Sequence, residues 1–215
     1  MTYSLHELDD KLLKYLFYEN GFFIEAGAND GVAQSNTLLF EQKLNWKGIL
    51  IEPNPHKANL CKINRPNSIV EHCALVSKNY NHPFIEGDFN HNDYANSLMS
   101  MVLDEGDECD LNYKNHKNYK KNHENIISVP AKTLTSILEF YKVKKIDLLS
   151  LDVEGYEISA LNGLNFIQFS PLYCLIETTT DENRITMITA YMNDNNYNVI
   201  ERLSGNDFLF KLKND

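Results

Sequence analysis

Five short apolar runs, each closing on an acidic or glycine-bearing turn, constrain the fold of this 215-residue chain more than any other feature. They are Phe22–Ala26 and residues 48–53, 69–76, 146–152 and 172–177. Each run is short and carries little polar alternation, so each predicts a buried strand covered on both faces. Helical spacing fills the gaps, at residues 35–44, Pro55–Asn64, 133–141, 156–163 and 184–193. Pro53 forbids extension of the second strand, and Gly163 stops the helix before the fifth. Strands alternating with helices predict an α/β fold, a mostly parallel sheet with helices on both faces. Tyr197–Arg202 and Asp207–Leu212, joined around Ser204-Gly205-Asn206, predict a closing antiparallel pair. At the start, Leu5, Leu8, Leu12, Leu13, Leu16 and Phe17 predict an amphipathic helix over about residues 4–20, stopped by Asn20-Gly21.

Residues 80–125 interrupt this rhythm. They are rich in Asn, His, Tyr and Lys and poor in periodic apolar residues, apart from a short extended piece at 97–102. The segment is expected to be a polar insertion, solvated over most of its residues, with a substrate lid on the sheet's carboxyl edge as the functional reading for others. With 43% hydrophobic and 23% charged residues the composition is globular, and the length predicts a single domain over 1–215. No apolar run approaches the roughly 20 residues that span a bilayer, and the first residues lack a basic and apolar leader. The chain is therefore expected to be cytoplasmic. Twenty basic and thirty acidic residues give a net charge of −10, which argues against nonspecific binding to nucleic acid or anionic lipid. Cys61, Cys73, Cys109 and Cys174 form no Cys-x-x-Cys pair, so they are expected to be free thiols rather than a zinc or redox motif.

The first strand runs into Glu25-Ala26-Gly27-Ala28-Asn29-Asp30-Gly31. Glycine after a strand permits a tight turn and close backbone approach to a ligand. In open parallel sheets the ligand crevice lies at these carboxyl ends, and an acid at the end of the second strand, here Glu52, grips a ribose diol. The glycines are spaced Gly-x-x-x-Gly, which is neither the dinucleotide fingerprint nor a phosphate loop. Glu25 and Asp30 would repel a pyrophosphate but suit a cation. S-adenosylmethionine meets these demands, with its sulfonium, ammonium and ribose diol and no phosphate. The fourth strand ends in Leu151-Asp152-Val153-Glu154-Gly155-Tyr156-Glu157. Asp152 and Glu154 are expected to face a sulfonium, act as general base, or hold a divalent ion such as Mg²⁺ or Mn²⁺. Glu157 is expected to cap the following helix, and Glu177, at the end of the fifth strand, to point into the same crevice.

These residues resemble the FkbM-type S-adenosylmethionine-dependent methyltransferases. The resemblance lies in residues 23–31, Ser35-Asn36-Thr37, residues 46–55 and residues 151–157, with weaker matches at Asn64-Arg65-Pro66, Thr133-Leu134 and Leu161-Asn162-Gly163. It implies a class I methyltransferase Rossmann-like fold with a seven-stranded sheet. It also implies O-methylation of a sugar, polysaccharide precursor or related natural product. By the same resemblance Glu25, Gly27, Asn29 and Gly31 line the methionine part of the cofactor, within a binding turn that includes Ala28 and Asp30. Glu52 then holds the ribose, Cys73 and Ala74 flank the adenine, and Asp152 sits near the transferring methyl. The proton of the attacked hydroxyl passes to Asp152, Glu154, or a histidine of the insertion, His91, His116 or His123.

Other readings stay open at this level. Tyr113-x-x-x-Lys117 and Tyr141-x-x-x-Lys145 have the spacing of a nucleotide-dependent oxidoreductase, though both precede the fourth strand. A non-catalytic S-adenosylmethionine-binding module would keep the turn and Glu52 without turnover. The acceptor could also be a protein or another small nucleophile.

Overall fold

The computed structural model describes residues 2–90, 102, 125–178 and 181–213. After a 3-10 turn at Leu5–Glu7, its elements are α1 (Leu8–Leu12), β1 (Phe22–Ala26), α2 (Leu38–Leu44), β2 (Lys47–Ile51), α3 (Pro55–Asn64), β3 (Ile69–Glu71), β4 (Ala74–Leu75) and β5 (Phe84–Asp88). There follow β6 (Ile126–Lys132), α4 (Leu134–Phe140), β7 (Leu148–Leu151), α5 (Glu157–Asn162), β8 (Tyr173–Glu177), α6 (Glu182–Asp194), β9 (Tyr197–Arg202) and β10 (Asp207–Leu212). Seven strands form one sheet in the order β3-β2-β1-β7-β8-β10-β9. The five strands from β3 to β8 are parallel, and β10 runs antiparallel to both β8 and β9. The expected α/β fold with a closing antiparallel pair is therefore present.

Burial explains why these strands read as unbroken apolar runs. Successive side chains point to opposite faces, and both faces are packed. Ile24, Ile49, Leu149 and Ile176 join one core with Leu134, Leu161, Ile188 and Met192 of α4, α5 and α6. Phe23, Leu50, Leu148 and Leu175 join the other with Leu12, Phe40 and Cys61 of α1, α2 and α3. The chain leaves β1 toward β2 and β3 on one side and returns to β7 on the other. The crevice for a ligand thus lies where β1 and β7 part at their carboxyl ends.

Several elements differ from the sequence expectation. The N-terminal helix is short, because His6 and Glu7 both have positive φ and Asp9 turns back to accept from Tyr3 N and Ser4 Oγ. The run at 69–76 divides: β3 ends at Glu71, while β4 joins a second sheet, β4-β6-β5. Strand β5 lies inside the expected insertion, where only Ile85 and Phe89 signal it, and both are buried. Most of the insertion, with the extended piece at 97–101, Cys109, His91, His116, His123, Tyr113 and Lys117, lies outside the described residues. Val102 is described, and it bridges to Gly87. Cys61, Cys73 and Cys174 are free and buried. Among the described residues no helix is long and apolar enough to cross a membrane.

Helix α2 begins three residues later than its sequence suggests, because Glu25 of β1 captures the segment before it. Its carboxylate accepts from Ser35 Oγ (2.9 Å), Asn36 N (2.6 Å) and Thr37 Oγ1 (2.6 Å). Arg65, fully buried after α3, anchors this cluster from behind. Its Nε reaches Glu41 of α2 at 2.7 Å, Nη1 reaches the Gly31 carbonyl and Ser35 Oγ, and Nη2 reaches Thr37 Oγ1. Glu25 Oε2 lies 3.7 Å from Nη1, and the guanidinium stacks over Phe23. Removing one partner of a buried ion pair strands the other charge at a cost of about 3–5 kcal/mol. Arg65→Met is expected to lower unfolding free energy by about that amount in urea denaturation, with Lys14→Met on the exposed Glu201 pair changing it by under about 1 kcal/mol.

Candidate functional site

A cleft of about 960 Å³, open solvent at its mouth included, lies over the carboxyl ends of β2, β1 and β7. Its wall includes Glu25, Gly27, Ala28, Asn29, Glu52, Cys73, Ala74, Asp152 and Glu154, all of them singled out by sequence. Asp30 and Gly31 do not line it. Asp30 Oδ1 instead accepts from Val32 N and Ala33 N, and Gly31 gives its carbonyl to Arg65, so both shape the turn from behind.

Gly27 is where β1 and β7 separate. Its φ is +82°, and a Cβ there would lie 1.8 Å from the Asp152 carbonyl oxygen. No larger residue fits without parting the strands. Glu52 is buried at the end of β2. One oxygen accepts from Asn29 N at 2.8 Å and the other from Asn54 N at 2.9 Å. A carboxylate has about four acceptor positions, so both oxygens retain capacity for a further donor. Burial pushes the Glu52 carboxyl up to about 7, against the pull of those two N–H groups and of Lys57.

Past β7 the backbone turns with positive φ at Glu154 and Gly155. Glu157 fixes this turn: its Oε1 accepts from Val153 N and Gly155 N, and its Oε2 pairs with Arg184 of α6. The expected helix-capping glutamate is therefore a buried clamp on the loop that carries Asp152 and Glu154. Burial, then the neighbouring Asp152 and Glu157, pushes Glu154 up to about 8. Leu151 pairs with Ile176 and Glu177 with Asp207, so Asp152, Glu177 and Asp207 stand side by side at the ends of β7, β8 and β10. Burial, followed by the charge of the neighbouring Glu177, pushes Asp152 well up. Carboxyls this close repel one another when both are ionised, so their proximity favours the protonated form at this end of the cleft.

The expected divalent-metal site is not supported. Among the described residues no group of three or more His, Cys, Asp or Glu side chains is arranged to hold a metal ion, so Asp152 and Glu154 lack further ligands. The oxidoreductase pair at 141 and 145 is also a correction: Tyr141 donates to Glu71 and Lys145 pairs with Asp147, and neither lines the cleft. The sequence assigned no role to Asn36, Ser150 and Tyr156, which line the cleft, or to Arg65 behind it. For Asn36 and Arg65 the only sequence signal was membership of matched motifs.

Buried polar atoms are almost always hydrogen-bonded, so those left without partners need an explanation. Among the described residues, Asn29 leaves both Oδ1 and Nδ2 unpaired, and Asn36 and Asp152 each leave Oδ1 unpaired. All three residues line the same cleft.

The methyltransferase FkbM domain family matches residues 25–199. No curated protein matches the chain. A solved FkbM methyltransferase from Methylobacillus flagellatus superposes with a TM-score of 0.54 at 12% identity, covering 89% of this chain and 43% of that one. The chain thus spans less than half the length of that protein, and the likeness shows the fold. A putative RNA methyltransferase from Pyrococcus horikoshii (TM-score 0.47, 11% identity, 96% and 80% covered) is more distant. So is a methyltransferase from Thiobacillus denitrificans solved with S-adenosyl-L-homocysteine (0.40, 11%, 92% and 66%). At those scores neither adds to the argument. With the family match extending over most of the chain, from the acid of the first strand into β9, this protein belongs to the FkbM methyltransferase domain family.

Proposed function

We propose that the chain is an S-adenosylmethionine-dependent O-methyltransferase, acting as one domain on a hydroxyl of a sugar, polysaccharide precursor or related natural product. The observation that carries this reading is the cleft itself: unpaired polar atoms of Asn29, Asn36 and Asp152 on a wall that also holds Glu52. The family supports methyl transfer as the chemistry. The acceptor class rests on the family resemblance alone. A small-molecule or saccharide acceptor suits a cleft of this size, and the net charge of −10 speaks against nucleic acid.

In this reading the cofactor supplies a methyl group already activated by a sulfonium, and the chain has three tasks. Glu52 accepts from the ribose hydroxyls with the lone pairs its two backbone donors leave free. Gly27 lets the ligand approach the backbone between β1 and β7. Glu154 would take the proton of the acceptor hydroxyl, leaving its oxygen as the nucleophile for the methyl group that the cofactor would supply. Positioning of the two reactants can contribute about 7–11 kcal/mol to the barrier, and the base a further factor of about 10²–10⁴. A base is most effective when its proton affinity is near the working pH, which burial provides for Glu154.

Calorimetric titration with S-adenosylhomocysteine, with NADH as control, tests the cofactor: saturable binding of the first alone is expected. Binding of NADH alone would return the chain to the oxidoreductases. Glu52→Ala is expected to weaken S-adenosylhomocysteine binding by about 10-fold or more with the fold intact by circular dichroism, since it removes a charged acceptor from the ribose. Unchanged affinity would remove the ribose assignment.

A pH profile tests the base. Deprotonated Glu154 is the active form, so kcat is expected to rise with pH through about 8. Glu154→Gln should lower kcat by about 10²–10⁴ and flatten that rise while leaving S-adenosylhomocysteine affinity nearly unchanged. The same group has the opposite effect on stability. Its folded value lies above the unfolded 4.5, so the native state binds more protons across that interval and loses stability as pH rises from about 4.5 to about 8.

A further inference from the structure

The sheet order fixes how a nucleoside with an amino-acid tail can lie in the cleft. Glu52, on the ribose side of the reading above, ends β2; Cys73 and Ala74 lie beyond β3 on the outer side. On the inner side are β1 and then β7. If the base lies toward Cys73, everything beyond the ribose must extend over β1 and β7. Asn36 stands there. Its Nδ2 donates to Ser150 Oγ at 3.0 Å, and Ser150 is the β7 residue paired with Glu25 of β1. Its backbone N–H is held by Glu25 at 2.6 Å, and the Glu25 carboxylate also takes the hydroxyls of Ser35 and Thr37. The side chain is thus fixed at both ends, and its Oδ1 is buried in the cleft wall with no partner.

We propose that Asn36 is a cofactor-binding residue whose carboxamide oxygen accepts a hydrogen bond from the ammonium of the cofactor's amino-acid tail, with Ser150 holding the carboxamide in that orientation. The proposal rests on the S-adenosylmethionine reading and adds a residue for which that reading had no role. Three observations select the ammonium over the tail's carboxylate. With Nδ2 committed to Ser150, the free atom is an acceptor. The surrounding wall carries the carboxyls of Asp152 and Glu154, whose ionised forms an incoming cation would favour. No Lys, Arg or His among the described residues lines the cleft to balance an incoming carboxylate. A buried oxygen facing a charged donor repays its desolvation only when that donor arrives, so the tail contributes to affinity through this residue.

The test compares two ligands that share adenosine and a thioether and differ in the tail: S-adenosylhomocysteine and 5′-methylthioadenosine. Each is titrated calorimetrically into the full chain and its Asn36→Ala, Asn36→Asp and Ser150→Ala variants, with thermal unfolding as the check on folding. Asn36→Ala is expected to bind S-adenosylhomocysteine about 10-fold more weakly and 5′-methylthioadenosine unchanged. Asn36→Asp keeps an acceptor and is expected to stay within about 3-fold of the original protein for both ligands. Ser150→Ala, which frees the carboxamide, gives a smaller loss confined to the tailed ligand, and it carries the test if the Asn36 variants do not fold. Equal losses for both ligands would mean a structural role and overturn the proposal, as would no loss for either. Asn36→Asp binding more weakly than Asn36→Ala would show that the tail's carboxylate faces this position, and would overturn the ammonium assignment. If the original protein binds neither ligand, the cofactor reading falls and this inference with it; if it binds both and Asn36→Ala binds both equally well, only the inference falls.

Discussion

The guanidinium of Arg65 is the contact on which the rest of the site depends. It is fully buried, and it ties the end of α3 to Glu41 of α2, to the Gly31 carbonyl and to the hydroxyls of Ser35 and Thr37. Those hydroxyls are also the partners of Glu25 on the central strand. A buried carboxylate and a buried guanidinium each cost free energy to desolvate, and they are retained only where geometry and additional hydrogen bonds offset that cost. Here the additional hydrogen bonds define the turn. Residues 28–37 have little regular structure of their own; the charge cluster behind them fixes where Asn36 stands, while Glu52 and Cys61 hold Asn29. A polar network, not helical packing, shapes the cleft on this side.

That network also explains what the sequence showed and what it hid. The central strands were legible because both faces are packed, so their side chains are apolar without alternation. The cleft was legible for the same topological reason: Gly27, Glu52, Cys73 and Asp152 fall at strand ends, and strand ends converge in a parallel sheet. Glu25 reads in sequence as an acid free to meet a cation, yet its oxygens are occupied by Ser35, Asn36 and Thr37. Nothing in a linear pattern reveals that an arginine forty residues later supplies the compensating charge. The late start of α2 has the same origin, since a carboxylate from another strand withholds Ser35 to Thr37 from the helix. The N-terminal helix starts late through local competition, with Asp9 capturing Tyr3 N and Ser4 Oγ.

The opposite wall is built on a second buried pair. Glu157 accepts the backbone donors of the loop after β7 and is neutralised by Arg184 from α6. The two walls therefore share one construction: an acid near the carboxyl edge of the sheet, engaged by turn donors, with an arginine from a later segment behind it. Each arrangement spends an acid on shape, which leaves Glu52, Asp152 and Glu154 as the cleft acids not committed to an arginine. This division follows from which acids the arginines reach and could not be assigned by counting carboxylates in sequence.

Placing further acids there has a consequence for the chemistry. Asp152, Glu177 and Asp207 are adjacent across three strands, where like charges destabilise a sheet. Burial and mutual proximity push Asp152, Glu154 and Glu177 upward, which favours retention of protons there. A cation entering the cleft would favour the ionised acids, whereas a neutral thioether would not. In the proposed reaction, methyl transfer to a hydroxyl would convert the first ligand into the second and release one proton, which the same acids could accept. The net charge of the site then stays constant through turnover, as positive charge leaves the sulfur and a proton arrives on a carboxylate. In the proposed reading, the acids beside Gly27 would thus serve both as acceptors of the released proton and as a field that attracts a cation.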